Sequence, residues 1–134
     1  MDLTLSTCFV QVHDPDLALV FYHDVLGLDV RNDVANDDFR WITVGAASQP
    51  GVSLILTNYV AGGPADSDAV AALLAKGAMN GVHFQTDDLN ATFEKVRASG
   101  ADVVQEPTDQ FWGTRDFAVR DPSGNLIRID QPKR

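Results

Sequence analysis

The sequence is short of several things, and each shortage closes a class of explanation. It has one cysteine, Cys8, so no intramolecular disulfide can form. No apolar run approaches the roughly 20 residues that a membrane-spanning helix needs. The opening residues, MDLTLSTCFVQV, lack the basic n-region and small-residue cleavage site of a secretory signal, so the expected location is cytoplasmic. Positive charge is scarce: ten Lys and Arg stand against nineteen Asp and Glu, a formal charge of −9. That balance argues against nucleic acid, whose binders need a basic face to displace counterions, and against anionic membranes. The acidic surplus reads first as a solubility device. What remains is ordinary for a globular chain, with 45% hydrophobic and 22% charged residues. At 134 residues it is close to the commonest size for one domain, 1–134. Such a chain buries about two thirds of its unfolded surface and folds without disulfides or a structural metal.

An internal repeat organises the chain. Residues 10–30 read VQVHDPDLALVFYHDVLGLDV, and residues 84–103 read FQTDDLNATFEKVRASGADV. Each opens with a short strand carrying Gln (Gln11, Gln85), passes through an Asp-led helix to Gly (Gly27, Gly100), and leaves through Asp-Val. Downstream, FRWITVGAASQPGVSLIL parallels TRDFAVRDPSGNLIRI, with Gly51 answering Gly124. Each half therefore reads as strand, helix and three strands. Asp14 before Pro15 is a helix N-cap with proline at the first helical position. Leu17, Val20, Phe21 and Val25 follow near helical spacing, and Gly27 is the expected C-cap. In the second half Asp87 or Asp88 caps, Leu89, Phe93 and Val96 form the stripe, and Gly100 stops the helix. Asp121-Pro122-Ser123-Gly124 fits a type I turn. Residues 59–80 connect the halves through a short helix, about Ser67–Lys76, capped by Asp66 or Ser67. The expected fold class is α+β, with two tandem βαβββ modules (about 3–58 and 81–131) forming curved mixed sheets around a cleft.

Strand alternation assigns the faces. Cys8, Val10, Val12, Ile42, Val44, Leu54, Leu56, Val82, Phe84, Phe117, Val119, Ile127 and Ile129 should pack against the helices. The opposite faces carry Phe9, Phe39, Trp41, His83, Gln85, Asp116 and Arg128, with Trp112 and Tyr59 at the mouth of the cleft. Aromatic walls with a few aimed polar groups suit a flat organic ligand. Arg128 has two uses open to it: a bidentate grip on a ligand carboxylate, or a pair with Asp116. Phe39 and Trp41 have an alternative role as a hydrophobic contact between halves or chains. Cys8 reads as a small buried hydrophobe, His13 and His23 as surface residues, and His83 as a structural residue or a weak candidate for acid–base work.

Phe21-Tyr22-(x3)-Leu26-Gly27 after the first strand and Asp121-Pro122-Ser123-Gly124-Asn125 before the last resemble the vicinal oxygen chelate superfamily of glyoxalases, extradiol dioxygenases and drug-resistance proteins. The resemblance spans essentially the whole chain. It implies metal-ligand positions at Thr7, Ile55, near Gly81, and at Arg128. None of these is a good donor for a divalent ion, and the guanidinium of Arg128 repels one. His83 becomes the second-half position if the register is shifted. Trp112-Gly113-Thr114-Arg115-Asp116-Phe117 is similar to a stretch of bleomycin-resistance-like members, which implies drug sequestration without metal or turnover. The resemblance also implies a homodimer. The leading expectation is a metal-independent binding protein, without cofactor, for a small aromatic or carboxylate-bearing ligand. The alternatives are an enzyme (lyase, isomerase or dioxygenase, with or without a divalent metal) using His83 with Gln85 or Asp116, and a protein-interaction module whose cleft is closed by side chains.

Overall fold

The structure is a computed structural model that describes residues 1–132. It divides into two compact units, Met1–Ala72 and Leu73 onward. In the first, β1 (Thr7–Gln11), β2 (Asp29–Asn36), β3 (Phe39–Gly45) and β4 (Ser53–Thr57) form one sheet in the order β1-β4-β3-β2. In the second, β5 (Asn80–Gln85), β6 (Asp102–Asp109), β7 (Thr114–Arg120) and β8 (Leu126–Pro132) repeat that order as β5-β8-β7-β6. The first strand of each sheet runs parallel to the last, and the other pairs are antiparallel. The α+β class and the two four-stranded mixed sheets are as the repeat predicts.

The helices form where the caps put them. α1 (Pro15–Leu19) starts at Asp14, whose carboxylate accepts from the Asp16 and Leu17 N–H groups at 3.0 and 3.2 Å. It continues as a π-helical stretch, Val20–Val25, and ends at Gly27 with φ +78°. α3 (Leu89–Ala98) starts at Asp88, which accepts from Ala91 N–H at 3.1 Å, and is followed by Gly100 at φ +86°. α2 (Pro64–Ala75) begins three residues before the expected Ser67. Pro64 takes the first helical position, and Asp66 reaches back to the Gly63 N–H at 3.2 Å, so Asp66 braces the first turn from within. The Asp121 turn is closed by its own carboxylate, which accepts from the Ser123, Gly124 and Asn125 N–H groups, each at 2.9 Å.

α1 packs on β3 and β4, and α3 packs on β6, β7 and β8. Val10, Ile42, Val44 and Leu56 are buried with Ala18, Phe21 and Tyr22 in the first unit. Leu89, Phe93, Val96, Phe117, Val119, Ile127 and Ile129 are buried in the second, with the Phe93 and Phe117 rings edge to face at 5.2 Å. Two expectations need correcting. Leu17 and Val20 are about half exposed: the buried stripe is Ala18, Phe21 and Tyr22, at ordinary helical spacing but one residue out of phase with the expected one. Cys8 is exposed rather than buried: it lies near the start of β1, an edge strand that pairs only with β4. Leu54, Val82 and Phe84 are half-buried.

Candidate functional site

In the second unit, the sheet face opposite α3 is built in rows by strand register. His83, Arg128 and Ala118 stand side by side on β5, β8 and β7, with Gln105 of β6 opposite Ala118. The next row holds Gln85, Asp130, Asp116 and Thr108. Asp116 and Arg128 lie on adjacent strands, two residues apart in register, and they form an ion pair at 3.1 Å. Asp116 is 1% exposed. One of its oxygens accepts from the side-chain amides of Gln105 and Gln110, both at 2.8 Å, and the other accepts from Arg128 Nη1. Arg128 Nη1 also donates to Gln105 Oε1 at 3.2 Å. Of the two uses open to Arg128, the structure shows the pair with Asp116.

Burial alone would push the Asp116 pKa up. The hydrogen bonds from Gln110, Gln105 and Arg128, with the Arg128 charge, outweigh that effect and hold it below the ordinary carboxylate value. The pair is therefore charged and internally compensated. Arg128 keeps Nε and Nη2 without a hydrogen-bond partner among the described residues, on a side chain 27% exposed. His83 is exposed beside it, and its side chain makes no hydrogen bond among the described residues, so no such bond orients the imidazole for acid–base work. Gln85 donates to Asp130 at 3.5 Å.

Trp112 sits at the tip of the β6–β7 hairpin, where its ring meets Phe111 edge to face at 4.9 Å. The tip closes through Gln110 N–H to the Thr114 carbonyl at 2.7 Å, with Gly113 at φ +99°. Gln110 thus joins the aromatic tip directly to the buried carboxylate. Gln105, Gln110 and Phe111 are absent from the residues that alternation selects. The available signal was composition: two glutamines bracket the stretch Glu106-Pro107-Thr108-Asp109 that leads toward Asp116.

The first unit carries a different surface on its corresponding face. Phe9 of β1 stands beside Ile55 of β4, which faces Thr43 of β3. One row on, Gln11, Thr57 and Trp41 align. Phe39, Trp41 and Tyr59 form a ring cluster with centroids 5.3 to 6.5 Å apart. Two hydrogen bonds fix Tyr59: Gln11 Nε2 donates to its carbonyl at 2.9 Å, and its N–H donates to Thr57 Oγ1 at 3.0 Å. Phe9 remains 65% exposed and Tyr59 40%. Away from this face, Arg40 grips Asp33 through Nε at 2.8 Å and Nη2 at 2.6 Å and also pairs with Asp16, tying β2 and β3 to the start of α1.

The donor set does not fit a divalent metal. The strand pairs that register places together are Phe9 with Ile55 and His83 with Arg128, and they supply one imidazole between them. Thr7 and Gly81 lie two residues earlier on β1 and β5. No group of three or more His, Cys, Asp or Glu side chains that could hold a metal ion occurs among the described residues. No helix among them is long and apolar enough to cross a membrane.

The sequence profile of the Glyoxalase/Bleomycin resistance protein/Dioxygenase superfamily matches residues 4–129. The crystal structure of UcmS2 is 32% identical with a TM-score of 0.86, covering 97% of this chain and 98% of that one. TnmS3, an antibiotic binding protein from Streptomyces sp. CB03234, is 27% identical with a TM-score of 0.75, covering 98% of both chains. A protein of Vibrio cholerae named as a probable lactoylglutathione lyase is 29% identical over 130 residues, 92% of this chain and 87% of its own.

Proposed function

Since the chain belongs to the Glyoxalase/Bleomycin resistance protein/Dioxygenase superfamily, we propose that it is a metal-independent small-molecule binding protein that sequesters an aromatic drug or metabolite. One observation carries the reading: a guanidinium paired to a buried carboxylate, Arg128 with Asp116, stands where the family resemblance places a metal ligand. Recognition then falls to ring stacking and hydrogen bonding. Phe9, Phe39, Trp41 and Trp112 are the stacking surfaces, and Arg128 with its neighbours His83 and Gln85 is the polar contact. That TnmS3 is an antibiotic binding protein supports the same reading. The protein works as a cytoplasmic homodimer in this account, and the exposed Phe9, Phe39 and Tyr59 support a partner for the first unit's face. Light scattering on the purified chain tests the dimer.

The rival is an enzyme, favoured by the exposed His83 beside Arg128 and by the Vibrio cholerae relative's name. A thermal-shift screen of aromatic small molecules separates the two, because a ligand of the folded state raises Tm by mass action. The expected result is a hit that binds with a stoichiometry of one site per site-bearing face, quenches tryptophan fluorescence, and is recovered unchanged by mass spectrometry. Conversion of the hit to a product, or a stoichiometric divalent ion in freshly purified protein, overturns the proposal.

A further inference from the structure

The charge arrangement around Arg128 bears on which polar group a ligand presents there. Asp116 already compensates the guanidinium, and Asp130, on the same face of the same strand, stands opposite Asp116 in register. Immediately around the guanidinium, one positive charge stands against two negative ones, in a chain of formal charge −9. The acceptors nearest the guanidinium are engaged: Asp116 receives three donors and Gln105 Oε1 receives Arg128. The donors are not: Arg128 Nε and Nη2 have no partner among the described residues. Thr114 Oγ1, two residues from Asp116 on the same face of β7, is buried without a partner as well.

From this imbalance of donors and charge we infer that Arg128 selects an uncharged hydrogen-bond acceptor, a carbonyl or ether oxygen on an aromatic frame, and rejects a carboxylate. The inference rests on the binding-protein reading above. A carboxylate would enter a face already negative, and it would compete with Asp116 for a guanidinium whose charge is spent. A carbonyl needs only the free N–H groups and brings no charge to desolvate. Asp116 is then a positioning residue: it fixes the guanidinium and sets its net charge without touching the ligand.

Two probes with the same rings test this, 2-naphthamide and 2-naphthoate, titrated against the full chain by tryptophan fluorescence at one ionic strength. The amide should bind at least about tenfold more tightly than the acid. Asp116→Asn removes the compensating charge and should narrow or reverse that ratio. Asp130→Asn, which leaves the Asp116–Arg128 pair in place, should strengthen naphthoate more than naphthamide and serves if Asp116→Asn does not fold. Tighter binding of naphthoate by the unaltered protein overturns the inference and leaves the binding reading intact. Failure of the unaltered protein to bind either probe overturns both.

Discussion

The two units share a topology and a register but differ in what their open faces are made of. Superposing the repeat through strand order pairs Ile42 with Phe117, Val44 with Val119, Leu56 with Ile129 and Val10 with Phe84. Those positions face the helices, and all are apolar. The same superposition pairs Phe9 with His83, Ile55 with Arg128 and Trp41 with Asp116. The helix-facing half of each module is fixed by the need for a core. The other half is free of that need, and one copy has become aromatic while the other has become ionic. An aromatic surface offers broad contact without strong directionality; a compensated ion pair offers direction with little added charge.

The largest way to break this comparison is at its ionic member. Asp116→Ala leaves Arg128 and two glutamine amides without their shared acceptor, and should destabilise the protein by about 3–5 kcal/mol in urea unfolding. The repeat-related turn glycines come next. Gly124 has φ +108°, and a Cβ there would lie 1.9 Å from the Leu74 carbonyl oxygen, whereas Gly51 has nothing within 4 Å and no positive φ. Gly124→Ala should cost at least about 2 kcal/mol, and Gly51→Ala less than about 0.5 kcal/mol, by the same measurement. At the aromatic member, Trp41→Ala removes a half-buried ring that touches Phe39 and Tyr59. It should cost about 1–2 kcal/mol of stability and abolish the binding of any hit from the thermal-shift screen.

The smallest effect is on the acid limb. Because the Asp116 pKa is lowered in the folded state, its contribution is present above the unfolded Asp value of about 3.9 and is lost as pH falls through the folded value. Asp116→Asn should therefore flatten the fall in stability between about pH 5 and pH 2, as read by urea midpoints across that range. The first unit supplies a control: Asp33, also lowered, chiefly by its hydrogen bonds from Arg40, should leave the Asp116 contribution unchanged when replaced by Asn.

Much of this was legible in the sequence, for local reasons. Asp14 and Asp88 cap helices because a short carboxylate reaches the second or third N–H of a helix wherever it precedes one. Gly27 and Gly100, read as the stops of their helices, both take positive φ there. The phase of α1 was not legible, since Leu17-Val20-Phe21 and Ala18-Phe21-Tyr22 both fit the helical period and share Phe21, and the larger aliphatic side chains lie on the exposed stripe. The exposure of Cys8 was hidden because alternation gives a side chain's face and says nothing of how fully that face is covered on an edge strand. Asp116 and Arg128 fell on one face by simple parity. Gln105 did not, because β6 shifts register twice, between Val103 and Gln105 and between Gln105 and Thr108, and each shift defeats alternation; Gln110 lies past the end of β6, where alternation assigns no face. A polar cluster assembled from a bulged strand and a hairpin tip is visible only once the strands are paired.

Calorimetric titration of a screened ligand into protein dialysed against EDTA tests the central claim most directly. If a charge-compensated guanidinium and aromatic rings do the recognising, the affinity should match that of undialysed protein to within about twofold. A loss of about tenfold or more, restored by adding back a divalent ion, would contradict the account.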